Sequence, residues 1–127
     1  MIQVKLSDLV NGSETLQKLG QKDFKAKLAW SIARLLKAAE TEIQGFTEAR
    51  MNLIRKYGVK TETGDLFVDE KGNYRVEPEH VNDFNKEVNE LAATEVEINA
   101  NKIPFELLEN EDFTPVDMAL LEPFIEE

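Results

Sequence analysis

The chain has 127 residues, 42% hydrophobic and 31% charged, with 25 acidic against 15 basic side chains and a net charge of −10 at pH 7. That length suits a single domain with one core, and the apolar content is well above what leaves a chain disordered. The absence of cysteine excludes disulfides, thiolate metal sites and cysteine nucleophiles, and the summed charge opposes binding of the whole surface to nucleic acid or to an anionic membrane.

Met1-Ile2-Gln3-Val4-Lys5 has no basic stretch followed by an apolar core, so it does not read as a signal peptide. No apolar run approaches the roughly 20 residues that span a bilayer. Ile2, Val4 and Leu6 alternate with Gln3 and Lys5, the pattern of a half-buried strand. A short helix follows, with Ser7 or Asp8 as its cap, Leu9, Val10, Leu16 and Leu19 on one side, and Gly20 at its end. Asn11-Gly12-Ser13 is the place where it would be interrupted.

From about Lys22 to Tyr57, Phe24, Leu28, Ile32, Leu35, Ala39, Ile43, Phe46, Leu53 and Tyr57 recur at spacings of three and four with no proline between them. This predicts one helix on the order of 50 Å long, more than a domain of this size needs, which leaves part of it free to meet a partner. Gly58 stands at the C-cap position, and Gly45 is the weak point, about 1 kcal/mol worse than alanine. Between Phe24 and Ala39 the apolar arc is broadened by Ala26, Ala29, Trp30, Ala33 and Leu36, whereas beyond Glu40 it narrows to one face. The first part is therefore expected to be buried, with its alanines admitting the N-terminal helix at close range.

Leu66-Phe67-Val68 and Tyr74-Arg75-Val76 flank Asp69-Glu70-Lys71-Gly72-Asn73, which predicts a hairpin over 64–76. Pro78 opens a helix bearing Val81, Phe84, Val88 and Leu91 on one face, and Val96 and Ile98 mark a strand suited to pair with the N-terminal one. Ile103-Pro104-Phe105 and Leu107-Leu108 form an apolar connection. Thr114-Pro115-Val116-Asp117 then reads as an N-cap, a first-turn proline and a third-position acid. The last helix they open buries Met118 and Leu121, with Phe124 or Ile125 completing its apolar side and Pro123 limiting its length. The fold class expected is α+β in one domain over 1–127, a long central helix with shorter helices packed on a small antiparallel sheet that includes a β-hairpin.

Residues with chemical potential are few. His80, the only histidine, excludes a multi-histidine metal site and reads as a solvated residue at a helix start. Asp65, Asp69, Glu70 and Asn73 surround Gly72 without the spacing of a calcium loop, so a turn is expected there. Glu95 and Glu97 share one face of a strand and read as a solvated face rather than an acid–base pair. Phosphate-loop, dinucleotide, esterase and zincin motifs are all missing. No catalytic, cofactor-binding or metal-binding residue is assigned.

Trp30 falls nearly opposite the main apolar stripe and beside Lys27, Arg34 and Lys37. Packing over Leu16 and Leu19, with the cations snorkelling outward, is its expected place. The alternative is an exposed site that stacks on a nucleic-acid base or anchors a protein interface, where tryptophan and arginine are enriched. These four residues are the candidate partner-binding set. Arg50, Arg55, Lys56 and Lys60 form a second basic group, suited to a helix C-terminus.

Charge is also divided along the chain: residues 1–60 carry 11 Lys and Arg against 6 Asp and Glu, and residues 61–127 carry 4 against 19. The acidic half can solubilise the surface, pair with the basic helix within the molecule, or present phosphate-like charge to a DNA-binding protein. The first needs no special arrangement of side chains.

Phe46-Thr47-Glu48-Ala49-Arg50, Leu53-Ile54-Arg55-Lys56-Tyr57-Gly58, Asp69-Glu70-Lys71-Gly72-Asn73-Tyr74, Val88-Asn89-Glu90-Leu91, Glu95-Val96-Glu97-Ile98 and Leu120-Leu121-Glu122-Pro123-Phe124-Ile125-Glu126-Glu127 follow one another in the chain. In this order they resemble a family of small uncharacterised proteins, a domain of unknown function, encoded by tailed bacteriophages and prophages. The resemblance implies a viral setting, in the host cytoplasm or the virion, and assigns no site residues. The function expected is non-enzymatic: binding of a phage or host protein, with self-association through the narrow apolar stripe as a further option. Neither a cofactor nor direct nucleic-acid or membrane binding is expected. The alternative is an acidic inhibitor that occupies a nucleic-acid-binding surface of a host or defence protein.

Overall fold

The N-terminal alternation becomes strand β1 (Ile2–Lys5), with Ile2 and Val4 buried and Gln3 and Lys5 exposed. It pairs antiparallel with β2 (Glu95–Ile98), as the sequence predicts. Ile2 lies opposite Ile98 and Val4 opposite Val96, which puts the apolar residues of both strands on the same face. The computed structural model describes residues 1–126 and divides into two compact units. One comprises Met1–Ile43 and the chain from Thr94 onward, the other Gln44–Ala93.

In the first unit, helix α1 (Leu6–Gly20) follows β1 directly, and the Leu6 N–H donates to the Thr94 carbonyl at 3.0 Å. Lys5 occupies the N-cap position without a side-chain bond, so neither Ser7 nor Asp8 caps the helix. Asn11-Gly12-Ser13 does not interrupt it either. The Ser13 hydroxyl donates to the Val10 carbonyl at 3.0 Å. At Gly12 an added Cβ would lie 3.3 Å from the Leu120 carbonyl oxygen, so glycine lets helix α4 (Pro115–Leu121) approach closely. It is α4 that packs along α1.

Helix α2 (Ala26–Tyr57) is a single element of 32 residues, starting later than the periodicity suggests. Lys22 is engaged instead with the segment before α4: its Nζ lies 3.9 Å from Glu111 Oε2 and 4.9 Å from the centre of the Phe113 ring. Ile32, Leu35 and Ala39 are buried, but Ala26, Trp30 and Ala33 are exposed. The broad buried arc expected for this part of the helix is therefore corrected to a narrow one.

Thr114 and Asp117 form the expected cap of α4, completed as a capping box. The Thr114 hydroxyl accepts from the Asp117 N–H at 3.1 Å, and Asp117 Oδ2 accepts from the Thr114 N–H at 3.4 Å. A 3-10 turn (Glu122–Phe124) follows and leads to strand β4 (Ile125–Glu126), parallel to β3 (Ile103–Pro104), which itself leads into a second 3-10 turn (Phe105–Leu108). This parallel pair is not foreshadowed, because two-residue strands carry no periodicity. Phe124 and Leu121 are completely buried, with Ile2, Leu9, Leu19 and Leu35 equally inaccessible in the same core.

In the second unit, the end of α2 is followed by thin extended segments and α3 (Val81–Ala92), which a 3-10 turn (Pro78–His80) introduces. Val68 pairs with Tyr74 across the expected hairpin turn, where Asp69 Oδ1 accepts from the N–H groups of Lys71 and Asn73, both at 2.9 Å. Residues 58–60 form a third arm, with Gly58 bridging to Val76 and Lys60 to Leu66. Left-handed φ values occur at Gly64 and Gly72. Gly58 directly follows α2 at the expected cap position, its N–H donating to the Ile54 carbonyl, without a left-handed φ of its own. Glycine is needed there because the Ile54 carbonyl and the Leu66 side chain occupy the space of a Cβ. Ile54 is buried, whereas Phe84, Val88 and Leu91 are only half-buried. The architecture is α+β, with one long helix, shorter helices and a small antiparallel sheet.

Candidate partner-binding face

Lys27, Trp30, Arg34 and Lys37 are spaced three, four and three residues apart, which places them within an arc of about 80° on α2. All four are exposed, and Trp30 retains 68% of its accessible surface. The expected packing of Trp30 over Leu16 and Leu19 is thus corrected. Those leucines are buried without it, and α1 turns toward α4. Ile32, Leu35 and Ala39 hold the opposite side of α2 in the core, so the orientation of the exposed arc is fixed by burial elsewhere on the same helix.

Among the described residues, three lysine–carboxylate ion pairs form: Lys18 with Asp117 at 3.6 Å, Lys22 with Glu111 at 3.9 Å, and Lys56 with Glu87 at 3.6 Å. Each joins a cation of the basic half to an acid of the acidic half, so part of the charge division serves internal complementarity. Contacts of this length at partly exposed sites add little stability. None of them involves Lys27, Arg34 or Lys37, which leaves the cations around Trp30 without an ion-pair partner among the described residues.

The polar pair of the first unit is Thr15 and Asp117, both buried, with the Thr15 hydroxyl donating to Asp117 Oδ1 at 3.4 Å. Desolvation pushes the Asp117 carboxyl up. The backbone N–H of Thr114, the Lys18 ammonium and the Thr114 hydroxyl outweigh it and leave the group below its ordinary value. This arrangement ties α1 to the start of α4 and is structural. Thr114 and Asp117 were legible as a cap, but nothing in the sequence linked Thr15 to them.

In the second unit, Tyr57 lies 5.5 Å from the His80 ring and 6.4 Å from the Phe84 ring, centre to centre. The neighbouring Glu87 carboxylate raises the Tyr57 hydroxyl above its ordinary value, against the opposing Lys56 ammonium. Lys56 is in turn held protonated to higher pH by Tyr57 and Glu87. His80 is half-buried, with Nε2 3.8 Å from Glu79 Oε1. Among the described residues no three His, Asp or Glu side chains converge to hold a metal ion, and Glu95 and Glu97 are both exposed on β2. No helix among them is long and apolar enough to cross a membrane.

No protein-family model, curated protein or solved structure matches this chain.

Proposed function

We propose that the protein acts by binding another protein, of phage or host origin, through the α2 face centred on Trp30, with no catalytic step of its own. The observation that carries this reading is the 68% exposure of the chain's only tryptophan amid three cations that form no ion pair among the described residues. Tryptophan is the largest apolar side chain. Set on a solvated helix face beside arginine and lysine, it supplies both the apolar area and the charge of an interface anchor. The resemblance to phage-encoded proteins supports the setting.

Because Trp30 is the sole tryptophan, its fluorescence reports on this face alone. Free protein should show the red-shifted, acrylamide-quenchable emission of a solvated indole, and a partner recovered by affinity capture should shift it to the blue and protect it. Trp30→Ala should weaken capture of that partner by roughly 30-fold, the effect of a hot-spot residue. Capture undiminished by this substitution would sink the proposal.

The second reading, an acidic inhibitor of a nucleic-acid-binding protein, draws support from the 19 acids against 4 bases beyond residue 60. It requires that the captured partner bind nucleic acid and that capture weaken steeply with salt.

A further inference from the structure

The first unit carries a groove that the Trp30 face does not account for. One depression, of about 760 Å³, has an apolar lining from Leu28, Ile103, Pro104 and Leu107, and cations from Lys25, Lys27 and Lys102. A second, of about 700 Å³, meets it at Pro104 and Glu126 and is lined further by Phe105 and Glu106. All three lysines are exposed, and none forms an ion pair among the described residues. Leu107 and Phe105 remain 48% and 43% exposed, large apolar side chains left in water along the groove. Three cations without an ion-pair partner among the described residues, set on one apolar groove, favour an anionic occupant.

We infer that this groove binds a short apolar segment of another protein with acidic residues at the end that meets Lys25, Lys27 and Lys102. All three lysines line the first depression alone, whereas Glu126 stands where the two depressions meet and Glu106 lines the second alone, so the groove sets the direction of the segment as well as its charge. Its apolar lining is interspersed with Ser31 and Asn101, polar groups that can bond a peptide backbone. Both depressions open to solvent. A peptide lying there turns its polar backbone outward, whereas an alkyl chain would leave part of its apolar surface in water. Three lysines within a field of −10 are too few to hold a polyphosphate chain. The groove shares Lys27 with the Trp30 face but does not depend on Trp30.

Fluorescence anisotropy of the full chain against labelled peptides tests the inference. The probes are a short peptide of alternating glutamate with leucine and phenylalanine, its counterpart with lysine for glutamate, and a polyglutamate of equal length. The first should bind, the other two at least about tenfold more weakly, and the first should weaken with salt. The combined Lys25→Gln, Lys27→Gln and Lys102→Gln variant should lose about tenfold in affinity, since three exposed charge contacts together are worth about one decade. Leu107→Asp should weaken binding as well, with unchanged far-ultraviolet circular dichroism and a single cooperative thermal transition showing that the fold is intact. Trp30→Ala should leave peptide affinity unchanged, which separates failure of this groove from failure of the Trp30 face.

No binding of the first peptide, equal binding of all three, or an unaffected triple variant would overturn the inference. So would displacement of the peptide by laurate together with equal binding of laurate alone, which would mark a lipid site. Concentration-dependent dimerisation that blocks the peptide and is abolished by the same lysine substitutions would assign the groove to a second copy of this chain, again overturning it.

Discussion

Replacing Trp30 by alanine distinguishes a solvated side chain from a core one by magnitude alone. At 68% exposure, about one third of the side chain is covered. A tryptophan offers about 200 Å², so the covered part is roughly 65 Å² and its burial contributes about 1.6 kcal/mol at ~25 cal/mol per Å². Alanine keeps its own Cβ contacts and is the better helix former by about 0.5 kcal/mol, which brings the expected net loss to about 1 kcal/mol. For a chain of this size that corresponds to a fall of about 3–5 °C in melting temperature. The assay is thermal and urea denaturation followed by far-ultraviolet circular dichroism, because the substitution removes the fluorescent probe. A loss of ~3 kcal/mol or more, the range for truncating a core aromatic, would refute the exposed placement and the interface reasoning built on it.

The same measurement on Phe124→Ala should give the opposite outcome, a loss of about 3–5 kcal/mol, because Phe124 is completely buried. Thr114→Ala should cost about 1 kcal/mol through loss of the α4 cap, read from the urea midpoint. Asp117 lies below its ordinary value of 3.8 in the folded protein. Its contribution is therefore complete above that value and is lost as pH falls through the lower folded one. The melting-temperature gap between wild type and Asp117→Asn should accordingly shrink below about pH 4; a gap independent of pH would show that the charge of Asp117 is not what stabilises α4. Gly12→Val should destabilise by about 1–3 kcal/mol despite sitting in a helix, since the larger side chain meets the Leu120 carbonyl across the α1–α4 contact. Stabilisation by that substitution would show that α4 does not approach α1 closely.

Local patterns determined most of the elements. Alternation at Ile2, Val4, Val96 and Ile98 was sufficient both to locate two strands and to match their faces, because a register error would turn every apolar side chain to water. The spacing along α2 and the Thr114–Asp117 cap were readable for the same reason: each is a relation among residues a few positions apart. Tertiary structure decided what depends on residues far apart in the chain. Trp30 sits at an amphipathic boundary, and its exposure follows from α1 packing against α4 instead of against the alanines of α2. The Thr15–Asp117 bond joins residues 102 positions apart, and the β3–β4 pair is too short for any periodicity. The groove, likewise, exists only where the start of α2 meets β3 and the turn after it. Composition supplied its lysines and leucines, but their convergence is a property of the fold.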